Sequence, residues 1–200
     1  MFKESVKVNL NFRGNRNYIY AADIAEAMFN TVGFCKNIRM EFHHTASSAI
    51  QICEISAAEL INFKKRDDLY ALMVCKDIFD IDRYMVAVSD SNAQSPSQIP
   101  YDESVHTLCA SIHERSVDSS VNSLQKTPLL AIVALNKVLL NHFVEINQWF
   151  FVKLELQQWP LDIKRINLYI STISNHNLYK SNIFNSDKLI GNIYFYRRNE

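Results

Sequence analysis

A chain of 200 residues with 21 basic and 21 acidic side chains lacks the basic footprint of a nucleic-acid binder, and none is expected as a partner. Apolar residues make up 48% and aromatic residues 12%, enough for a sizeable core in one large domain or two smaller ones. The longest apolar stretch, LLAIVAL at 129–135, is too short to span a bilayer, so no membrane partner is expected either.

The first segment, MFKESVKVNLNFRGNRNY, carries charge at once and then alternates, which predicts a strand over 6–12 and not a signal peptide. A polar segment, RGNRNY at 13–18, leads into a helix over about 21–31. Its apolar positions Ile24, Ala25, Met28 and Phe29 recur at three and four, and Gly33 is placed to end it. Strand-like runs follow: IRMEFHH (38–44), AIQICEI (49–55), LYALMVCK (69–76) and YMVAVSD (84–90), the last two joined by the Asp-containing turn DIFDIDR. KKRDD at 64–68 cancels its own charge and reads as a solvated loop. SDSNAQSPSQIP at 89–100, with two prolines and almost no apolar residues, reads as a linker, so domains are expected at 1–90 and 101–200 around a linker at 91–100.

Beyond the linker the same order returns. YDESV (101–105) echoes FKESV (2–6), VHTLCASI (105–112) reads as a strand, and HERSVDSSVNSLQ (113–125) is polar. Thr127 as N-cap and Pro128 at the first helical position then open a helix to about Phe143, apolar nearly all round and therefore wrapped by other structure. VKLELQQ (152–158) repeats the residue classes of IRMEFHH, and INLYISTI, LYKSNIF and IGNIYFYR follow, the last two joined by NSDK. Each half thus reads strand, long helix, four strands, an α+β arrangement written twice.

This order resembles the hot-dog fold, and two copies in one chain resemble the double hot-dog proteins, which include acyl-thioester thioesterases and dehydratases. The resemblance covers nearly the whole chain and rests on element order and alternation. It implies tandem hot-dog-like repeats, each a long helix wrapped by a curved antiparallel sheet. It also implies a ligand of the acyl-CoA or acyl-ACP type, from fatty-acid or polyketide-type metabolism, with an acyl carrier protein as a partner. Thioester hydrolysis and 3-hydroxyacyl dehydration are the two reactions it implies. The His that dehydratases carry before the helix is not evident, which favours hydrolysis. The alternative is a non-catalytic module that binds an acyl carrier or a protein partner, its tunnel filled by side chains such as Phe29, Leu139 or Phe143.

In such enzymes a helix N-terminus polarises the thioester carbonyl and a nearby carboxylate or His supplies the base. The helix starts at 20–23 and 126–129 are the candidates for the first role. Asp23, Glu26 and Asp118 are the candidates for the second. VDSSVNS at 117–123 keeps only the Asp and Asn of one thioesterase pattern, which makes Asn122 a candidate contact and leaves Asp118 open to a plain turn role. Arg16 can pair with the phosphates of a carrier, and Asn17 or Tyr18 can donate to a carbonyl. Thr127 and Asn136 complete the candidate binding set; Asn136 interrupts an apolar helix and needs partners, whether ligand or structural. Asp23 is equally favoured in a first helical turn by the macrodipole alone, and Glu26 suits a solvated position.

Glu41 with His43, and His113 with Glu114, are weaker acid–base pairs. No metal and no cofactor are expected: Cys35, Cys53, Cys75 and Cys109 lack zinc-ligand spacing and read as buried thiols of a reducing, cytoplasmic compartment. Three glycines in all make no phosphate-cradling loop, and no G-x-S-x-G elbow occurs, so nucleotide-dependent chemistry and serine-hydrolase chemistry are set aside. A monomer or a homodimer fits the exposed sheet edges.

Overall fold

The alternating runs become strands in the computed structural model, which describes residues 4–90, 95–120, 128–144, 148–163, 165–174 and 177–198. Two compact units result, one of residues 1–101 with 158–160 and the other of 102–157 with 161–200.

In the first unit, β1 (Glu4–Val8), β2 (Phe12–Arg13), α1 (Ala21–Val32), β3 (Cys35–Phe42), β4 (Ile50–Ile55), α2 (Leu60–Phe63), β5 (Leu69–Lys76), β6 (Asp82–Ser89) and β7 (Gln98–Ile99) follow in order. The main sheet runs β1-β4-β6-β5-β3, antiparallel throughout. α1 buries Ala22, Ile24, Ala25, Met28 and Phe29, the face that the three-and-four spacing marks, and Phe29 stacks on Trp159 at 4.4 Å. Gly33 ends α1 at φ 77, its N–H donating to the Phe29 carbonyl. The β5–β6 turn is an Asx turn, with Asp77 Oδ1 accepting from the N–H groups of Phe79 and Ile81.

In the second unit a 3-10 turn (Glu103–His106) precedes β8 (Ala110–Ile112), β9 (Ser116–Ser120), α3 (Pro128–Val144), β10 (Trp149–Trp159), β11 (Arg165–Ser174), β12 (Leu178–Asn185) and β13 (Lys188–Arg197). The antiparallel sheet runs β10-β13-β12-β11-β9-β8. α3 buries every residue from Leu129 to Asn136 as well as Leu139 and Leu140, as an all-round apolar helix must.

Four expectations need correction. First, the 6–12 run pairs as a strand only to Val8; Phe12–Arg13 leave to pair in parallel with Gln98–Ile99, so the 89–100 segment contributes a strand and is not wholly linker. Within that segment, residues 91–94 lie outside the described residues. Second, most of VHTLCASI is not strand, because the Asp102 carboxylate accepts from the Ser104 N–H and nucleates the 3-10 turn. The ESV of 4–6 is strand and the ESV of 103–105 is 3-10 turn, so the two copies adopt different structures there. Third, the polar 113–125 segment contains β9, whose Val117 and Ser119 face inward while Asp118 faces out. Fourth, Cys109 is exposed, since it falls in the turn before β8; the other three thiols are buried, and burial pushes Cys53 up to about 11.

The units also thread their sheets differently. Residues 56–68, including α2, let the chain pass over β6 between β4 and β5. Only 175–177 separate β11 from β12, and so short a connection can join antiparallel neighbours alone, which makes β11-β12-β13 a plain meander. Among the described residues no helix is long and apolar enough to cross a membrane.

Candidate functional site

The RGNR sequence turns sharply at Gly14, φ 61, whose N–H donates to the Ile99 carbonyl at 2.9 Å. Ile19 then bridges to Phe12 and Ala46 and delivers Tyr20 as the residue before α1. No side chain caps this helix start, and Asp23 stands in its first turn. Asp23 is 8% exposed, and Arg13 reaches it as a fork, Nε to Oδ2 and Nη2 to Oδ1, both 2.7 Å. The bond to Asp23 outweighs burial and holds the Arg13 guanidinium above its ordinary pKa, with Glu26 adding to the field. The Tyr101 ring lies under both Arg13, at 4.9 Å, and Arg16, at 5.7 Å; Arg16 also lies 4.9 Å over Tyr20.

Beside this cluster a cavity of about 660 Å³ separates the β1 segment from α1. Lys7 and Asn9 line one wall; Asp23, Glu26, Ala27 and Asn30 line the other. Those four follow i, i+3, i+4, i+7, so they share the helix face opposite the apolar stripe. Lys7 Nζ sits 3.3 Å from Oδ2 of Asp90, whose side chain is 5% exposed. The cavity thus combines two carboxylates, two amides and a cation beside a helix start, a set able to polarise a carbonyl and orient water.

The other sequence candidates fall as follows. Arg16 and Tyr18 are half-buried and Asn17 is exposed. Asp118 belongs to the second unit, on β9, where Arg165 Nη2 donates to it at 2.8 Å and His113 Nε2 lies 3.3 Å away. The Arg165 bond holds its carboxyl below the usual carboxylate range, which weakens it as a base. Asn122 and Thr127 lie outside the described residues, as do 126 and 127 of the second helix start. Asn136 is fully buried on α3, and neither amide atom has a hydrogen-bond partner among the described residues. An unpaired buried amide costs about 1–3 kcal/mol. Asn136→Leu is therefore expected to raise stability by about 1–2 kcal/mol; a lower melting temperature in calorimetry would show a hydrogen bond that the amide was making.

Arg13, Lys7 and Tyr101 belong to the cluster but carry no sequence signal, because their partners lie many residues away and only chain folding brings them in. Glu155 is half-buried and accepts from Tyr194 Oη at 2.8 Å, Asn192 Nδ2 at 3.1 Å and Lys153 Nζ at 2.6 Å. Its counterpart Glu41 accepts from Arg39. Burial lowers His43, outweighing the neighbouring Glu41. Among the described residues no group of His, Cys, Asp and Glu is placed to hold a metal ion.

No protein-family model matches the sequence, and no curated protein matches it significantly. Solved structures do match. A candidate thioesterase II from Thermobifida fusca YX superposes with a TM-score of 0.52 at 11% identity, over 98% of this chain and 92% of that one. The tesB protein of Mycobacterium avium subspecies paratuberculosis gives 0.50 at 9% identity, over 95% and 91%. The dehydratase domain of PpsC from Mycobacterium tuberculosis, in complex with C12:1-CoA, superposes more loosely, at 0.49 and 6% identity over 97% and 93%. The first two superpositions show a shared fold, the hot-dog fold that the element order implied.

Proposed function

We propose that this chain is a double hot-dog protein that binds an acyl thioester, as acyl-CoA or acyl-ACP, and hydrolyses it. The observation that carries the reading is the cavity beside α1, into whose wall the helix places Asp23 and Glu26 together. A hot-dog fold is the setting in which such a cavity suits a thioester. The duplicated architecture, 1–90 and 101–200 joined by 91–100, is supported by one long helix per unit with two strands before it and an antiparallel set, β3 to β6 or β10 to β13, after it.

In the proposed reaction the carbonyl oxygen lies toward the first turn of α1, whose N–H groups stabilise the developing oxyanion. Asp23, forked by Arg13, fixes the local charge and geometry. Glu26, one turn further on, takes a proton from water as its oxygen adds to the thioester carbon. The tetrahedral intermediate collapses, the C–S bond breaks, and the departing thiolate recovers that proton. Lys7 and Arg16 supply cations for a carrier's phosphates.

Thiol release from a panel of short to long acyl-CoAs tests this. Glu26→Gln is expected to slow release about a hundredfold with an unchanged melting temperature, and Asp118→Asn to leave it alone. Loss in Asp118→Asn but not in Glu26→Gln would move the site to the second unit. Removal of one water from 3-hydroxyacyl substrates would make the protein a dehydratase. Thermal stabilisation by acyl-CoA without turnover would make it a binding module.

A further inference from the structure

β11 shows two unlike faces. Ile166, Leu168 and Ile170 are fully buried, whereas Arg165, Asn167 and Tyr169 alternate onto the outer face. Asn167 pairs in register with Phe184 on β12 and Asp118 on β9. Over this face lies a cavity of about 540 Å³, lined by Arg165, Asn167, Tyr169, Phe184, Ser186 and Asp187. Its size suits a small ligand, and its lining is unlike a seat for an acyl chain.

Each group has capacity to spare. Tyr169 is 42% exposed. The Asn167 amide has no hydrogen-bond partner among the described residues. Arg165 bonds Asp118 through Nη2 alone, leaving its other donors without a side-chain acceptor among the described residues. A second arginine adds an independent sign. The Arg115 guanidinium sits 6.0 Å from the Tyr169 ring centroid, its Nε is buried without a hydrogen-bond partner, and no described carboxylate pairs with it. A half-buried guanidinium without a counter-ion at the Tyr169 end of this face favours an anion there.

We propose that this face of the second unit binds an adenine nucleotide. The base stacks on the rings of Tyr169 and Phe184. The Asn167 amide, donor and acceptor at once, matches the paired acceptor and donor on the adenine edge. Arg165 takes the phosphates, and Asp187 accepts from the ribose hydroxyls, a task carboxylates perform at other nucleotide sites. Side chains here replace the glycine-rich backbone cradle that the sequence lacks. The nucleotide is either free or the nucleotide end of CoA.

Isothermal titration with ADP, CoA, pantetheine and inorganic pyrophosphate tests the proposal. ADP and CoA are expected to bind the parent protein. Tyr169→Ala and Asn167→Leu should each weaken both by about tenfold, and Arg165→Gln should do likewise. Equal affinities for ADP and CoA would point to a free nucleotide; tighter CoA binding would point to the CoA end. No saturable binding of ADP or CoA would overturn the proposal. So would binding indifferent to all three substitutions at unchanged melting temperature, or pyrophosphate competing as well as ADP. Nucleotide binding without thioester turnover would leave the proposal standing and remove only the thioesterase reading.

Discussion

Gly191→Ala is expected to lower stability by about 3 kcal/mol or more, equivalent to roughly 6–12 °C in melting temperature for a chain of this size. Gly191 faces Leu156 across the β10–β13 pair. A Cβ at 191 would fall on the Glu155 carbonyl oxygen and within 2.8 Å of Leu156 Cδ2. The leucine methyl can rotate aside, but the carbonyl belongs to the backbone and cannot. Relief requires β10 and β13 to separate, which breaks ladder bonds near the Glu155–Asn192–Tyr194 cluster. Differential scanning calorimetry of the variant decides the matter; a melting temperature within about 2 °C of the parent would show that the strands move apart at little cost.

Arg13→Ala is expected to cost about 3 kcal/mol, the low end of what breaking a buried pair costs, since the Arg13 side chain is 21% exposed. The loss comes from Asp23, which remains 8% exposed with both carboxylate oxygens deprived of their partner. The double variant Arg13→Leu, Asp23→Leu removes both charges and should recover most of that loss, because two apolar residues carry no desolvation penalty. Urea unfolding of Arg13→Leu, Asp23→Leu and the double variant gives the coupling energy. Additive losses would mean that the pair is worth no more than a surface contact.

How much of this was legible beforehand follows from the range of the interactions. α1 and its ending at Gly33 were readable because helical periodicity and a positive-φ glycine are local properties. The same spacing placed Asp23 and Glu26 on one helix face, so half of the candidate site was visible. Its other half was not. Arg13 and Lys7 meet that face only after β1 and β2 have found their partners, and nothing in FKESVKVNLNFR announces an ion pair ten residues on. β9 was missed because a serine-rich strand lacks the apolar alternation that marks strands, and Val117 alone is too little signal. VHTLCASI misled for the opposite reason: its apolar residues resemble a strand, but Asp102 offers the backbone a closer hydrogen bond first.

By itself, the sequence determined the hot-dog class of fold: the order of strand and helix, the apolar faces of α1 and α3, and the turns at Asp77 and Ser186 all follow from neighbours a few residues apart. The tertiary structure alone decided the sheet order, the forked Arg13–Asp23 pair, the orphaned amide of Asn136 and the two-faced character of β11. Those depend on which distant backbone groups pair and which side chains lose water together. That is a global minimum of burial and hydrogen bonding, and no local pattern encodes it.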